Sequence, residues 1–200
     1  MVVTNKYISR LKDAIGKERI LFTSRDVSLA GISRTELSRL EKEGLVFRVR
    51  RGIYSFEKDI EDPFYNMSER FRSGVFCRKT ALYLHGLLNR AIDTYEMHFP
   101  QRYNVANAKS CGVEAYNRAG IRYSLGIHWA TTPFGNDVRC YDKERAICEM
   151  FIYEICDYEE MKYAMNQYMN SKDANIDKLF VYADRLKVHE KVETAVMMTI

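Results

Sequence analysis

The chain has no run of eighteen apolar residues, no CxxC pair and none of the short signatures GxSxG, GxGxxG, Walker A or HExxH. The first absence leaves no stretch expected to cross a membrane as a helix. The second bears on the five cysteines, Cys77, Cys111, Cys140, Cys148 and Cys156. Their odd number and wide spacing suit neither a disulfide scaffold nor a zinc ribbon, so they read as small buried hydrophobes in a reducing compartment. The missing signatures remove the common nucleophile, phosphate-cradle and zinc-protease chemistries. The opening residues MVVTNKYISRLKDAIGKERILF lack the charged, then apolar, then small order of a secretory leader, and a cytoplasmic location is expected. Internal repeats and low-complexity tracts are absent too.

What is present is a globular composition, 46% hydrophobic and 29% charged over 200 residues. That length suffices for one large domain or two small ones. The net charge of +4 is unevenly shared: thirteen Lys and Arg face seven Asp and Glu up to residue 58, against eighteen and twenty beyond it. A basic amino-terminal module that meets a polyanion, joined to a body with another task, is the reading this supports.

The basic part has a clear pattern. Tyr7, Ile8, Leu11, Ala14 and Ile15 recur at helical spacing until Gly16. A short helix over about 24–30, capped by Thr23 or Ser24, leads to a turn at Gly31 and Ile32. The capping box SRTE opens a third helix from Ser33 to Glu43, which Gly44 stops. LVFRVRRGIYSF then alternates apolar and basic residues about Arg51-Gly52, as a hairpin does. This predicts a winged helix-turn-helix over residues 1–58. The acidic, proline-bearing EKDIEDPF (57–64) reads as a linker. Over residues 59–200 the pattern predicts helices near 64–71, over RKTALYLHGLL and KERAICEMFIYEI, and at about 158–170, 175–187 and 189 onward. Strands are expected at 74–77, in TYEMHFP, in IRYSLGIHWATT (one or two) and in DVRCYD. The fold class is therefore α+β: an N-terminal winged helix-turn-helix followed by a mixed α/β domain with a helical tail.

A step of 100° per residue sets Leu37 and Leu40 on one side of the third helix, and Thr35, Ser38, Arg39 and Lys42 on the other, with Arg34 at the edge. In the hairpin, Phe47 and Val49 are expected inward, leaving Arg48 and Arg50 outward beside Arg51. Arginines and hydroxyls on such a helix suit base edges and phosphates in a major groove, and a basic hairpin suits the flanking backbone. The candidate DNA-binding residues are thus Arg34, Thr35, Ser38, Arg39, Lys42, Arg48, Arg50 and Arg51. A merely solvated charged face, or a protein-contact module, is the alternative.

Nothing in the remainder reads as a catalytic or metal centre, and no cofactor is expected. His85, His98, His128 and His189 are far apart in sequence and read singly as structural. Asp137 with DKER (142–145) imitates a nuclease carboxylate set only loosely. The tyrosines Tyr153, Tyr158, Tyr163, Tyr168 and Tyr182 read as core or interface.

Four segments, GISRTELSRLEKEGLVFRVRRGIYSF (31–56), TALYLHGL (80–87), MHFP (97–100) and VRCYDKERAICEMF (138–151), taken in order, resemble the AbiEi family of antitoxins and transcriptional regulators from type IV toxin–antitoxin (abortive infection) systems. One departure is Ala146 and Glu149, where that family's Glu-Arg is followed by Thr and Asp. The resemblance implies a repressor, not an enzyme. Its winged helix binds inverted repeats in double-stranded DNA upstream of its own operon, and its second domain counteracts a nucleotidyltransferase-like toxin without a stable complex. Two other functions stay open at this point: a winged-helix-guided nuclease or transferase using Asp137 and Glu144, and a winged-helix adaptor for a protein partner.

Overall fold

The computed structural model describes residues 2–199, with side chains from residue 6 onward. The chain divides into two compact units, the first running to Asn66 and including Pro133–Asn136, the second taking Met67–Thr132 and Asp137 onward. Among the described residues no helix is long and apolar enough to cross a membrane.

The first unit contains α1 (Val2–Ile15), β1 (Leu21–Thr23), α2 (Ser24–Leu29), α3 (Arg34–Lys42), β2 (Phe47–Arg50) and β3 (Ile53–Ser55). Two reciprocal capping boxes start α2 and α3. Thr23 Oγ1 accepts from the Asp26 N–H while the Asp26 carboxylate accepts from the Thr23 N–H, and Ser33 and Glu36 do the same at 3.2 and 2.7 Å. Each box satisfies donors that a helix start leaves bare. Gly31 (φ +69°) turns the chain between the helices and Gly44 (φ +70°) ends α3, conformations that a side chain would strain. Leu37 and Leu40 then face a core of Leu11, Phe22, Val27, Ile32 and Val46. The small sheet has the order β1-β3-β2, all antiparallel. β1 escapes periodicity because its three residues are all buried.

The acidic stretch 57–64 is only partly a connector. Glu57, Lys58 and Asp59 are exposed, but Asp62 is fully buried and accepts from the Tyr65 N–H (3.1 Å) and from Asn136 Nδ2 (2.9 Å). Pro63 begins α4 (Pro63–Arg70), where its missing N–H costs nothing.

The second unit is a five-stranded mixed sheet with helices. Its strands are β4 (Val75–Phe76), β5 (Tyr95–Pro100), β6 (Val113–Arg118), β7 (Ile127–Thr131) and β8 (Asp137–Tyr141), in the order β6-β5-β4-β8-β7. β4 runs antiparallel to β5 and parallel to β8; β5 and β6 are parallel, β7 and β8 antiparallel. Helices α5 (Arg78–Leu84), α6 (Ala106–Ser110), α7 (Ile121–Ser124) and α8 (Lys143–Tyr153) fall between and after the strands. α9 (Tyr158–Met169), α10 (Ile176–Leu186) and α11 (His189–Met197) follow α8.

Three expectations needed correction. IRYSLGIHWATT is one short helix and one strand, because Gly120 (φ +50°) and Gly126 (φ +78°) bracket a single helical turn. The helix in RKTALYLHGLL stops at Leu84, since the Gly86 N–H bonds to Tyr83 O and the Leu87 N–H to Leu82 O, a left-handed cap that buries Leu87 beyond the helix. Of the cysteines, Cys77, Cys140 and Cys148 are buried, but Cys111 and Cys156 are only half-covered; all are free thiols.

Candidate functional site

The first unit presents a groove of about 950 Å³ between α2, α3 and the β2–β3 hairpin. Arg34, Ser38 and Glu41 line it from α3, Ser24 and Ser28 from α2, and Arg48, Arg51 and Tyr54 from the hairpin. The hairpin is tied to α2 by the Ser24 N–H, which donates to Gly52 O at 2.9 Å. That bond fixes one wall of the groove against the other.

All eight sequence-selected residues are exposed, but they are not equivalent. Arg34, Ser38, Arg48 and Arg51 share the groove. Thr35, Arg39 and Lys42 continue the outer face of α3 beyond it, at wheel angles next to Ser38. Two arginines are engaged by acids: Arg39 Nε lies 3.2 Å from Glu43 Oε1, and Arg50 Nε donates to Glu61 Oε1 at 2.9 Å. The β2–β3 register shifts between Arg48 and Arg50, and the two arginines have different surroundings on either side of it. Among the described residues, Arg34, Lys42, Arg48 and Arg51 have no carboxylate within ion-pairing distance, and these four give the face its free positive charge. Glu41 lines the groove, whereas Glu36, earlier on α3, is turned to the capping box. Hydrogen bonds from Tyr7 and then from Ser33 hold its carboxyl down at about 2. Sequence reasoning missed Ser24, Ser28 and Tyr54, because their place beside α3 depends on how α2 and the hairpin pack.

The second unit holds a polar layer under α8. Arg145, Glu149 and Tyr153 stand on one face of that helix at intervals of four, turned toward Cys77, His98 and Tyr141 of the strand region. Arg145 and Glu149 are fully buried and paired at 2.9 Å; the second Glu149 oxygen accepts the Arg78 N–H at 2.8 Å. Arg78 has φ +53°, a costly conformation for an arginine, and its guanidinium pairs with Glu96 at 3.2 Å. Burial pushes the Glu149 carboxyl up, against the pull of Arg145, and burial likewise pushes up Glu96. His98 is held at about 2 by burial first and then by Arg118, Arg145 and Arg78, so it is neutral. The side chains of Arg78 and Arg118 both lie over the Tyr116 and Tyr153 rings, 4.6–5.4 Å from the centroids.

This layer went unread in the sequence because its members come from α8, β5, β6, β8 and the β4–α5 junction, one to three residues each. The available signal was Glu96 and His98 alternating inside an otherwise apolar strand, and the Glu149 departure in α8. Cys77, His98 and Glu149 bring ligand-type atoms within 4.8 Å of one another. They fit a cation poorly: Glu149 is already taken by Arg145 and the Arg78 N–H, three guanidiniums crowd His98, and burial drives the Cys77 thiol well above its ordinary value. Of the other histidines, His85 Nε2 is bonded to Tyr141 O at 2.6 Å and His189 pairs with Asp184 at 2.7 Å.

The loose nuclease imitation does not assemble as such a site needs. Asp137 accepts from Thr131 Oγ1, whereas Glu144 is buried and bonded to Lys178 Nζ (2.8 Å) and Tyr168 OH (3.1 Å). Asp142 caps α8 and shares Lys178 at 3.0 Å. Burial would lower Lys178, but the hydrogen bonds to Glu144 and Asp142 outweigh it and hold the ammonium charged. Glu144 and Asp142 are therefore neutralised by a shared lysine, while Asp137 is bonded to a hydroxyl on the neighbouring strand.

Residues 8–56 match the family described as "Transcriptional regulator, AbiEi antitoxin". The match spans α3 and the hairpin; the segments at 80–87, 97–100 and 138–151 lie outside it. Among solved structures, the chain is similar to the crystal structure of the RV2827C protein from Mycobacterium tuberculosis, at 11% identity and a TM-score of 0.44, over 96% of this chain and 81% of that one. No curated protein matches.

Proposed function

We propose that the chain is a DNA-binding transcriptional repressor of the antitoxin type, with a winged helix-turn-helix over residues 1–58 as its reading head and residues 59–200 as its antitoxin domain. One observation carries this reading: the residues that match a transcriptional-regulator antitoxin family are those that build the basic groove. In this reading α3 enters the major groove of double-stranded DNA with Arg34, Thr35, Ser38, Arg39 and Lys42 toward base edges and the nearer phosphates. The hairpin is the wing: Arg48 and Arg51 grip the flanking backbone, and Arg50 stands beside them on the same face with its guanidinium held by Glu61. The function is occupancy, not catalysis. Two heads on an inverted repeat upstream of the chain's own operon gain from each other's binding and exclude polymerase.

The antitoxin half of the reading is that the second domain counteracts a nucleotidyltransferase-like toxin without holding it in a stable complex. The test has two arms. Fluorescence anisotropy with the DNA upstream of the chain's own gene is expected to give specific binding that an Arg34→Ala/Arg48→Ala variant loses; equal binding by that variant overturns the head assignment. Co-expression with the product of the adjoining reading frame is expected to restore growth to cells poisoned by it. Growth that stays arrested overturns the antitoxin assignment.

A further inference from the structure

β7 forms one edge of the five-stranded sheet. It pairs with β8, and among the described residues its backbone hydrogen-bonds to no other strand. Native sheets guard exposed edges with charge, proline or a bulge. The opposite edge is guarded in this way: β6 carries Glu114 and Arg118, the latter bonded to Tyr153 OH and Asn117 O. β7 reads Ile-His-Trp-Ala-Thr, with no lysine, arginine, acid or proline, and its register with β8 runs without a bulge from Ile127↔Tyr141 to Thr131↔Asp137. At its centre stands Trp129, the chain's one tryptophan, 60% exposed.

The geometry points to β7 as a self-pairing edge: a second copy of this chain adds its own β7 antiparallel, about a two-fold axis through Trp129, joining two five-stranded sheets into one. The hydrogen-bond phase carries the argument. Asp142 N–H donates to Gly126 O at 2.8 Å, and bonded pairs alternate along an antiparallel ladder. Residues 126, 128 and 130 therefore turn their backbone groups to β8. Ile127, Trp129 and Thr131 turn theirs to the open edge.

With the axis at Trp129, Ile127 meets Thr131 of the second copy, Trp129 meets its own counterpart, and every outward N–H and C=O on both strands is paired. Sliding the strands by two residues leaves outward groups bare. In the centred register His128 faces Ala130 of the second copy rather than its own counterpart. The two indoles lie side by side on one face and cover each other, which an unrelated strand would supply only if it too placed an aromatic there. The inference is independent of what the first unit binds.

Sedimentation equilibrium of the full chain, paired with Trp129 emission, tests it. The expected result is twice the 23.5 kDa chain mass at concentrations of about tens of micromolar, falling to the monomer on dilution as the emission shifts to the red. Trp129→Lys sets like charges directly opposite one another, and Thr131→Pro removes an outward N–H that β8 does not use. Each is expected to weaken dimerisation at least about tenfold with the far-UV spectrum unchanged. A monomer at every concentration overturns the inference. So does a dimer indifferent to Trp129→Lys, whether or not Thr131→Pro folds, and so does a dimer whose emission does not move on dilution.

Discussion

If the groove of the first unit grips a duplex, salt must report how many of its cations touch phosphate. Four of the eight candidate residues, Arg34, Lys42, Arg48 and Arg51, are cations with no carboxylate partner among the described residues. Taking one phosphate per cation, the logarithm of the association constant should fall with the logarithm of salt at a slope of about −3.6 for each head. Between about 50 and 200 mM salt that is a loss of roughly 150-fold. Replacing Arg48 and Arg51 by alanine leaves about half the slope, −1.8, and a loss of roughly 12-fold over the same range. Arg50 is the internal control: its guanidinium already serves Glu61, so Arg50→Ala should change the slope by less than about half a unit. Anisotropy titrations at four or five salt concentrations measure all three. A double variant with the parental slope, or Arg50→Ala lowering the slope as far as Arg48→Ala, would refute the assignment of the free cations to phosphates.

Three further outcomes concern the second unit. Arg145→Met strands the Glu149 carboxylate in a dry interior and is expected to cost about 3–5 kcal/mol in urea denaturation, with Arg145→Met/Glu149→Met recovering part of that loss. Gly126→Ala puts a Cβ 2.7 Å from the Arg145 Cβ at φ +78°, and should lower stability by about 1–3 kcal/mol by the same measurement. His98, held at about 2 in the native state, stays neutral while the unfolded chain takes up a proton near its ordinary value. Its contribution is fully present above about pH 6.5 and declines as pH falls toward the native value, by at most about 1.4 kcal/mol per pH unit. His98→Gln should flatten that decline between pH 6.5 and 5; an unchanged profile would remove His98 as its cause.

The first unit was legible to the extent that its structure is local. The Ser33 box, Gly44 and the alternation around Gly52 each act within a few residues, and α3 and the hairpin follow from them. β1 was not legible, since three consecutive buried residues have no period. Nor could periodicity say that Arg50 pairs with Glu61 while Arg48 does not, because that partner lies in the stretch read as a linker. In the second unit, β5 and α8 were legible as elements, but their shared content was not. Glu96 and His98 look like odd polar residues in a strand, and Arg145 and Glu149 like a solvated helical pair. Only the fold reveals that the Glu149 carboxylate receives the N–H of Arg78, seventy-one positions earlier.

The bond between Asp62 and Asn136 makes the first unit discontinuous in the gene. A fragment ending after α4 contains the groove yet omits Pro133–Asn136, and so leaves the Asp62 carboxylate sealed inside with one donor fewer. During synthesis the same gap imposes a delay, because some seventy residues must leave the ribosome before this last donor arrives. Anyone excising the head for binding studies would do well to mend that position, by supplying the missing tetrapeptide or replacing the acid.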